Sequence, residues 1–208
     1  MAGRQRIALY GGTFDPVHLG HVDVARRVLE LFEIEKVLFV PAQVAPHKIG
    51  RRVTEPIHRY AMLALATQND PRLSISTFEL DAPDRRYTVD TVEHFQDAFG
   101  DSTELFFIMG ADSWSEITTW REWERLLTMV NHIVATRPGH AIDETLPTPN
   151  ARVFFTDAVM RDISATNIRR LAGEGRFEEL TRMVPAPVAE YIRKYELYRD
   201  TNERKLNR

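Results

Sequence analysis

The apolar residues of this chain fall into two kinds of segment that alternate along it. Short runs rich in Val, Ile, Leu and Phe predict strands, and the nearly continuous apolar character of most of them is typical of strands covered on both faces. The predicted strands are Arg6–Tyr10, Lys36–Pro41, Leu73–Thr77, Glu104–Gly110, His132–Thr136 and Val153–Thr156. Longer segments, in which apolar residues recur every three or four positions, predict helices. The predicted helices are His18–Phe32, Glu55–Gln68, Thr88–Phe99, Trp120–Met129, Ser164–Ala172, Phe177–Met183 and Ala186–Tyr198.

This alternation predicts the fold class. Strand–helix–strand units build a parallel sheet through right-handed crossovers. We therefore expect an α/β fold, a Rossmann-like doubly wound parallel sheet with a helical C-terminal part. In such a sheet, ligands bind beyond the carboxyl ends of the strands. The sequence has no internal repeat, so we expect a single domain over residues 1–200 and a polar tail over residues 201–208.

The composition narrows the classes of function and partner. The 208 residues carry a net charge of −3, which argues against a nucleic-acid partner held by overall positive charge. The chain has no cysteine, so disulfides and thiolate zinc sites are excluded and a reducing compartment fits. No apolar run approaches the roughly 20 residues that span a bilayer, and the N-terminal apolar stretch is too short for a signal peptide. We therefore expect a cytoplasmic protein with no membrane partner.

A candidate ligand site follows the first predicted strand, in Gly11-Gly12-Thr13-Phe14-Asp15-Pro16-Val17-His18-Leu19-Gly20-His21. The glycines let the backbone approach a ligand closely. His18 and His21 share one face of a helix that begins here, and the N–H groups of a helix N-terminus favour a bound anion. These features predict a phosphate site. The alternatives are an ordinary tight turn and half of a metal site, although the spacing places no third metal ligand.

A second candidate site lies far downstream, in Ile163-Ser164-Ala165-Thr166-Asn167-Ile168-Arg169. Ser164 and Thr166 precede a helical run that we expect from Asn167. Hydroxyls at such positions are usually N-caps, worth about 1 kcal/mol. A helix N-terminus with nearby hydroxyls and Arg169 is also an anion site. Two such sites, one in each motif, would hold a polyphosphate from two sides.

The two motifs together resemble a known superfamily. The segment from Gly12 to His21 is similar to the His-x-Gly-His signature of the nucleotidyltransferase superfamily. The downstream segment is similar to its Ile-Ser-x-Thr-x-Ile-Arg element, with Ala165 where a second Ser is usual. Within the superfamily, the chain most resembles the bacterial nicotinate-nucleotide adenylyltransferases. The segments that carry this closer resemblance are Pro41–Lys48, Arg86–Thr91, Gly110–Asp112, Thr119–Trp120, Arg137–Gly139 and Tyr191–Tyr198.

The resemblance implies roles for individual residues. The residues implied in catalysis are His18, His21, Lys48 and Arg169. The residues implied in ATP binding are Gly11, Gly12, Thr13, Phe14, His18, His21, Asp112, Ile163, Ser164, Thr166 and Arg169. The residues implied in binding nicotinate mononucleotide are Thr13, Lys48, Thr88, Asp112, Trp120 and Arg137. From the residues alone, Trp120 also fits a core position, Asp112 a cap or turn, and Arg137 an exposed loop.

The resemblance also implies a reaction and its partners. The phosphate of nicotinate mononucleotide would attack ATP, and the cofactor would be Mg²⁺ bound by phosphate oxygens and water, with no residue as its ligand. The alternatives are a sister enzyme with another acceptor, such as nicotinamide mononucleotide or phosphopantetheine, and a non-catalytic nucleotide sensor on the same fold. Family members are often dimers, which makes a homo-oligomer an expectation, although no apolar stripe of the sequence marks an interface.

Overall fold

The protein is built around one parallel sheet. The computed structural model describes residues 4–43, 53–82, 86–136, 150–159 and 161–199. In these residues a six-stranded sheet has the order β3-β2-β1-β4-β5-β6, and all neighbouring strands are parallel. The strands are β1 (Gln5–Gly12), β2 (Lys36–Pro41), β3 (Leu73–Ile75), β4 (Thr103–Gly110), β5 (Asn131–Ala135) and β6 (Arg152–Thr156). Each corresponds to a predicted strand, and β1 continues through both glycines.

Helices fill most of the connections. The α-helices are α1 (Leu19–Leu31), α2 (Pro56–Thr67), α3 (Thr88–Phe99), α4 (Ala111–Ser115), α5 (Trp123–Met129), α6 (Ala165–Gly173), α7 (Phe177–Leu180) and α8 (Ala186–Lys194). The apolar pattern does not reveal α4, because its 5 residues are too few to show a helical period. None of the described helices is long and apolar enough to cross a membrane.

Three predicted helix boundaries are wrong by three or four residues. The helix expected to end at Met183 ends at Leu180, and the other two differences have reasons that are visible in the backbone. The helix expected from Trp120 begins only at Trp123, because Ile117–Thr119 form a 3₁₀ turn and Trp120 then has extended backbone (φ −78°, ψ 148°). The helix expected to end at Tyr198 ends at Lys194, since Glu196 and Tyr198 adopt positive φ, which interrupts a helix.

The sheet is covered by helices on both faces. Ala8 and Tyr10 of β1 join a core with α1, α2, α6, α7 and α8, and we call this side the α1 face. Ile7 and Leu9 join a second core with α3, α4 and α5, and we call this side the α3 face. Successive residues of a strand alternate between faces, so a strand buried on both sides must be apolar throughout. The predicted fold class, an α/β Rossmann-like doubly wound sheet with a helical C-terminal part, is confirmed.

The order of the strands determines where a ligand site can form. The chain runs outward from β1 through β2 to β3 and then returns to place β4 on the other side of β1. Ligands of open α/β sheets bind in the crevice beyond the strand ends at such a reversal. The two strand ends that flank the reversal are Gly12 and Gly110. This is where the first predicted motif lies.

Candidate active site

The loop between β1 and α1 carries the first motif and is anchored to the sheet by Phe14. Phe14 has a positive φ of 50°, and its ring lies edge-on to Tyr10 and Phe39, at centroid distances of 5.5 and 5.4 Å. Only 2% of Phe14 is exposed. The ring of this predicted ATP-binding residue is therefore part of the core, which leaves its backbone as the part that can contact a ligand.

The glycines of the motif are packed closely against rings inside the protein. A Cβ atom on Gly12 would lie 2.9 Å from Cζ of Phe14, and one on Gly11 would lie 3.0 Å from Cζ of Phe107. A Cβ atom on Gly20 would lie 3.1 Å from Nδ1 of His18. The sequence interpretation, in which the glycines open the backbone to a ligand, is therefore incomplete. These glycines also make room for the rings that shape the loop.

The two histidines of the motif are stacked on each other at the start of α1. Their ring centroids are 3.6 Å apart, and the rings are inclined by 25°. The backbone N–H of His18, the N-cap residue, donates to Nδ1 of His21 at 3.2 Å. Because Nδ1 of His21 accepts this bond, a neutral His21 carries its proton on Nε2, which is then a donor. The local fold thus selects the tautomer of His21.

His18 is the more buried of the pair. Only 8% of it is exposed, and its Nδ1 has no hydrogen-bond partner among the described residues. Burial lowers the pKa of His18 from 6.5 to about 4, so its imidazole is neutral at pH 7. A phosphate placed beside it would oppose this shift, because an adjacent negative charge favours imidazolium. His18 can therefore offer a hydrogen bond and, once an anion is bound, a charge.

The second motif begins α6. Ser164 is the N-cap residue and α6 starts at Ala165, which agrees with the predicted helix Ser164–Ala172 to within one residue. The expectation that the helical run begins only at Asn167 is wrong, because Thr166 lies in the first turn. The side chain of Ser164 makes no cap hydrogen bond. Ile163, just before the cap, is half-buried against the core of the α1 face. The hydroxyl of Ser164 is thus not committed to capping α6.

Arg169 joins the two motifs. Its Nη1 donates to the backbone carbonyl of Asp15 at 2.7 Å, and its Nη2 donates to Oγ1 of Thr166 at 3.0 Å. The carboxylate of Asp15 accepts two further bonds, from the hydroxyl of Tyr198 at 2.8 Å and from the N–H of Thr54 at 3.1 Å. The segments predicted to hold a polyphosphate from two sides are therefore in direct contact.

Two of the residues predicted for the mononucleotide, Thr88 and Trp120, lie on the α3 face. Thr88 is the first residue of α3, and Trp120 lies edge-on to Phe107 at a centroid distance of 6.4 Å. Trp120 is half-buried, and its buried Nε1 has no hydrogen-bond partner within the described ranges. The guanidinium of Arg121 lies 4.8 Å from the ring centroid of Tyr87, which links the neighbours of Trp120 and Thr88. Trp120 thus packs on the core while its N–H group is left for another acceptor.

Comparisons with known proteins agree with this geometry. A family model described as cytidylyltransferase-like matches residues 9–171. A probable nicotinate-nucleotide adenylyltransferase of Thermoanaerobacter sp. (strain X514) is 41% identical, over 95% of this chain and 96% of that protein. A probable nicotinate-nucleotide adenylyltransferase of Thermus thermophilus is 42% identical, over 93% of this chain and all of that protein. The chain belongs to this family.

A solved structure extends the comparison to the fold. Plasmodium falciparum nicotinic acid mononucleotide adenylyltransferase complexed with NaAD superposes with a TM-score of 0.76, at 21% identity, over 93% of this chain and 97% of that chain. At this identity the likeness establishes the fold alone. The protein is therefore a nucleotidyltransferase of the nicotinate-nucleotide adenylyltransferase family.

Of the remaining predicted site residues, the structure describes Asp112 but not Lys48 or Arg137. Asp112 lies in the first turn of α4 and is exposed, beyond the carboxyl end of β4. Of the two local roles expected from the residues alone, a cap or a turn, the position at the N-terminal end of a helix fits the first better. Within the part of the chain that the structure describes, no group of three or more His, Asp or Glu side chains could hold a metal ion.

Arg59 contacts the candidate site and was not predicted from the sequence. Arg59 is fully buried on α2 and donates to backbone carbonyls at the end of β2 and in the motif loop. A signal was present, because Arg59 is a charged residue within an otherwise largely apolar helical segment. A charged residue is rarely buried without dedicated partners, but nothing in the sequence says what those partners are.

Proposed function

We propose that this protein transfers the adenylyl group of ATP to nicotinate mononucleotide in NAD biosynthesis. The products are nicotinate adenine dinucleotide (deamido-NAD) and pyrophosphate. The proposal follows from family membership, and one observation carries it: the 2.7 Å hydrogen bond between Arg169 and the Asp15 carbonyl. That bond joins the two motifs that the reaction requires around one triphosphate.

The proposed reaction is an in-line substitution at the α-phosphorus of ATP. A phosphate oxygen of the mononucleotide forms a bond to this phosphorus, and the bond from the phosphorus to the α,β-bridging oxygen breaks. The bond electrons leave with pyrophosphate. The nucleophile is already an anion, so no general base is required. What the protein contributes is alignment and the stabilisation of charge on the transferring and leaving phosphates.

In this proposal each motif binds part of the triphosphate. Nε2–H of His21 and the imidazole of His18 donate to phosphate oxygens at the start of α1. The first turn of α6, with Ser164 and Thr166, offers N–H and hydroxyl donors, and Arg169 adds positive charge that strengthens hydrogen bonds to phosphate. The remaining ATP contacts proposed from the sequence are those of Gly11, Gly12, Thr13, Phe14, Asp112 and Ile163.

The acceptor site is proposed on the α3 face. The pyridinium ring would stack on the indole of Trp120, because a flat cationic ring is attracted to an aromatic face. Thr88 at the N-terminus of α3 would provide a donor to the pyridine carboxylate. The roles of Lys48 and Arg137 in binding the mononucleotide stay predictions of the sequence, as do the single domain over residues 1–200, a homo-oligomer, a cytoplasmic location and the lack of nucleic-acid partners.

The residues present fit a Mg²⁺ ion that is held mainly by the phosphates of the substrate. Asp112 is the one acidic residue among the predicted site residues, and the described residues contain no acidic cage. Mg²⁺ prefers oxygen ligands and retains water, so the ion would be carried mainly by the phosphates. When bound, it neutralises phosphate charge and helps to orient the α-phosphorus for attack. We propose that it enters with ATP and that Asp112 contacts one of its waters.

The decisive experiment measures pyrophosphate release from MgATP with each candidate acceptor in turn. We expect release with nicotinate mononucleotide and a much lower kcat/KM with nicotinamide mononucleotide and with phosphopantetheine. Equal efficiency with the two pyridine mononucleotides would overturn the nicotinate assignment. ATP binding without pyrophosphate release in the presence of any acceptor would identify a nucleotide sensor. Release of orthophosphate from ATP without an acceptor would identify a hydrolase.

A further inference from the structure

Arg59 is a buried charge that belongs to neither motif. It lies on α2, and its side chain is 0% exposed. Its neighbours along the helix, Met62 and Leu63, are part of the apolar core of the α1 face. Burying a guanidinium is costly unless its N–H groups are satisfied by well-placed acceptors. The choice of arginine at this position therefore needs an account beyond packing.

The guanidinium donates to four backbone carbonyls. Its Nε donates to Thr54 at 2.9 Å, and its Nη2 donates to Gln43 at 3.1 Å. Its Nη1 donates to both Thr13 at 2.9 Å and Ala42 at 2.7 Å. These acceptors belong to three separate segments: the loop after β1, the chain after β2 and the chain before α2. One side chain thus fixes the positions of three segments relative to one another.

Asp15 also binds the Thr54 peptide that Arg59 contacts. Its Oδ2 accepts the N–H of Thr54, whose carbonyl accepts Nε of Arg59, so the Thr54 backbone is held at both of its polar groups. Burial lowers the pKa of the Arg59 guanidinium, and the negative charge of Asp15 opposes this change. An arginine stays protonated in proteins. The charge of Arg59 is therefore retained and is balanced by carbonyl dipoles and by Asp15.

We infer that Arg59 is a positioning residue for adenylyl transfer, which holds the Thr13 end of the motif loop in register with His18 and with the Asp15 carbonyl that binds Arg169. This inference rests on the proposed function. Thr13 is the first residue of the loop and His18 is the last. A displacement of the Thr13 peptide is therefore transmitted along the loop to the Asp15 carbonyl and to His18. Misalignment of about 1 Å can cost about a hundredfold in rate even when the mutation is far from the chemistry. Arg59 acts through the backbone and touches no substrate.

The position demands the shape of arginine as well as its charge. Four acceptors in three segments are reached from three different nitrogen atoms of a planar fork. A lysine offers three donors from one nitrogen, so it can keep the charge but cannot bind all the carbonyls at once. Arg59→Lys therefore separates the geometric contribution from the electrostatic one.

The test compares Arg59→Lys and Arg59→Met with Leu63→Ala, a core truncation one turn along the same helix. Each variant is purified, its thermal unfolding is recorded, and kcat and KM for MgATP and for nicotinate mononucleotide are measured well below its unfolding temperature. We expect kcat to fall about tenfold in Arg59→Lys and further in Arg59→Met, while both KM values stay within about threefold. Leu63→Ala should lose stability but keep its kcat within about twofold, because it leaves the loop contacts in place.

Each other outcome has a clear meaning. An unchanged kcat in Arg59→Lys overturns the inference, as does a loss of kcat in Leu63→Ala equal to that in the Arg59 variants. Failure of both Arg59 variants to fold assigns the residue to stability alone and also overturns it. A wild-type protein that forms no deamido-NAD contradicts the proposed function instead. The two failures are therefore distinguishable in one set of assays.

Discussion

The two faces of the sheet build their halves of the candidate site by different means. On the α1 face, Asp15 is hydrogen-bonded to Arg169, Thr54 and Tyr198, which come from widely separated parts of the chain. On the α3 face, Trp120 is positioned by an edge-on aromatic contact with Phe107. The proposed phosphate half is thus fixed by directional bonds, and the proposed acceptor half by apolar packing.

This difference matches what each half would have to do. Phosphoryl transfer depends on alignment to within fractions of an ångström, which directional hydrogen bonds in a buried loop can provide. Recognition of a flat ring requires an aromatic surface and tolerates small displacements. We therefore expect substitutions on the α1 face to lower kcat and substitutions on the α3 face to raise KM for the mononucleotide.

The largest effect is expected at His21. Loss of one preorganised donor to the transition state costs about 3 kcal/mol, so His21→Ala should lower kcat at least about a hundredfold while the protein stays folded. His21→Asn is the matched variant, because its amide oxygen can still accept the His18 N–H while its shorter side chain places no donor at the position of Nε2. We expect it to be as inactive as His21→Ala. Turnover within a few-fold of wild type in either variant would remove His21 from the mechanism.

A smaller loss is expected at Arg169. Its charge-assisted bonds are worth about 2 kcal/mol, so Arg169→Met should lower kcat/KM for ATP roughly thirtyfold. Arg169→Lys should recover only part of this, since the fork that reaches both Asp15 and Thr166 is lost. Arg170→Gln is the control, because the exposed Arg170 pairs with Glu174 on the surface of the same helix. Equal effects at Arg169 and Arg170 would argue against a site role.

The third effect concerns stability and pH. Burial lowers the pKa of both His18 and His132 from 6.5 to about 4. Between these values the unfolded chain binds protons that the folded protein excludes. The free energy of unfolding is therefore greatest above pH 6.5 and should fall as the pH drops toward 4, by about 2 kcal/mol per imidazole at pH 5. Urea unfolding at pH 7 and pH 5 measures this loss.

The same two histidines provide a way to distinguish the proposed phosphate site from the core. Nε2 of His132 donates to the Leu126 carbonyl in the α3 face, whereas His18 lies at the start of α1, so His132→Leu should remove about half of the pH-dependent loss. In an NMR titration, pyrophosphate should raise the pKa of His18 and leave that of His132 unchanged. Equal responses of the two imidazoles to pyrophosphate would contradict the placement of the phosphate at His18.

The smallest effect is expected at Trp120. Stacking on a cationic ring is worth about 1 kcal/mol, so Trp120→Leu should raise KM for nicotinate mononucleotide about fivefold and leave kcat and KM for ATP nearly unchanged. Trp123→Leu is the control, since the first residue of α5 is equally half-buried on the same face. If both variants change KM equally, the effect is one of packing and Trp120 has no special role.

Several elements of the fold could be predicted because local patterns determine them. The runs that became β1, β2 and β4 are apolar throughout, and only a strand buried on both faces requires that. The extended backbone at Trp120 could not be predicted, because its apolar spacing with Trp123 also fits a helix. The contact of Arg59 with Thr13 could not be predicted either. Its acceptor is a backbone carbonyl, which every type of residue carries, so the sequence contains no mark of it.

The sequence by itself determined the doubly wound sheet and the family, because alternating apolar patterns predict the first and residue types at fixed spacing carry the second. Only the tertiary structure decided that Arg169 binds the Asp15 carbonyl, that His18 is buried with a lowered pKa, and that Arg59 joins three segments. These features depend on distances between segments far apart in the chain. Such distances are set by how helices and strands pack, which no local pattern encodes.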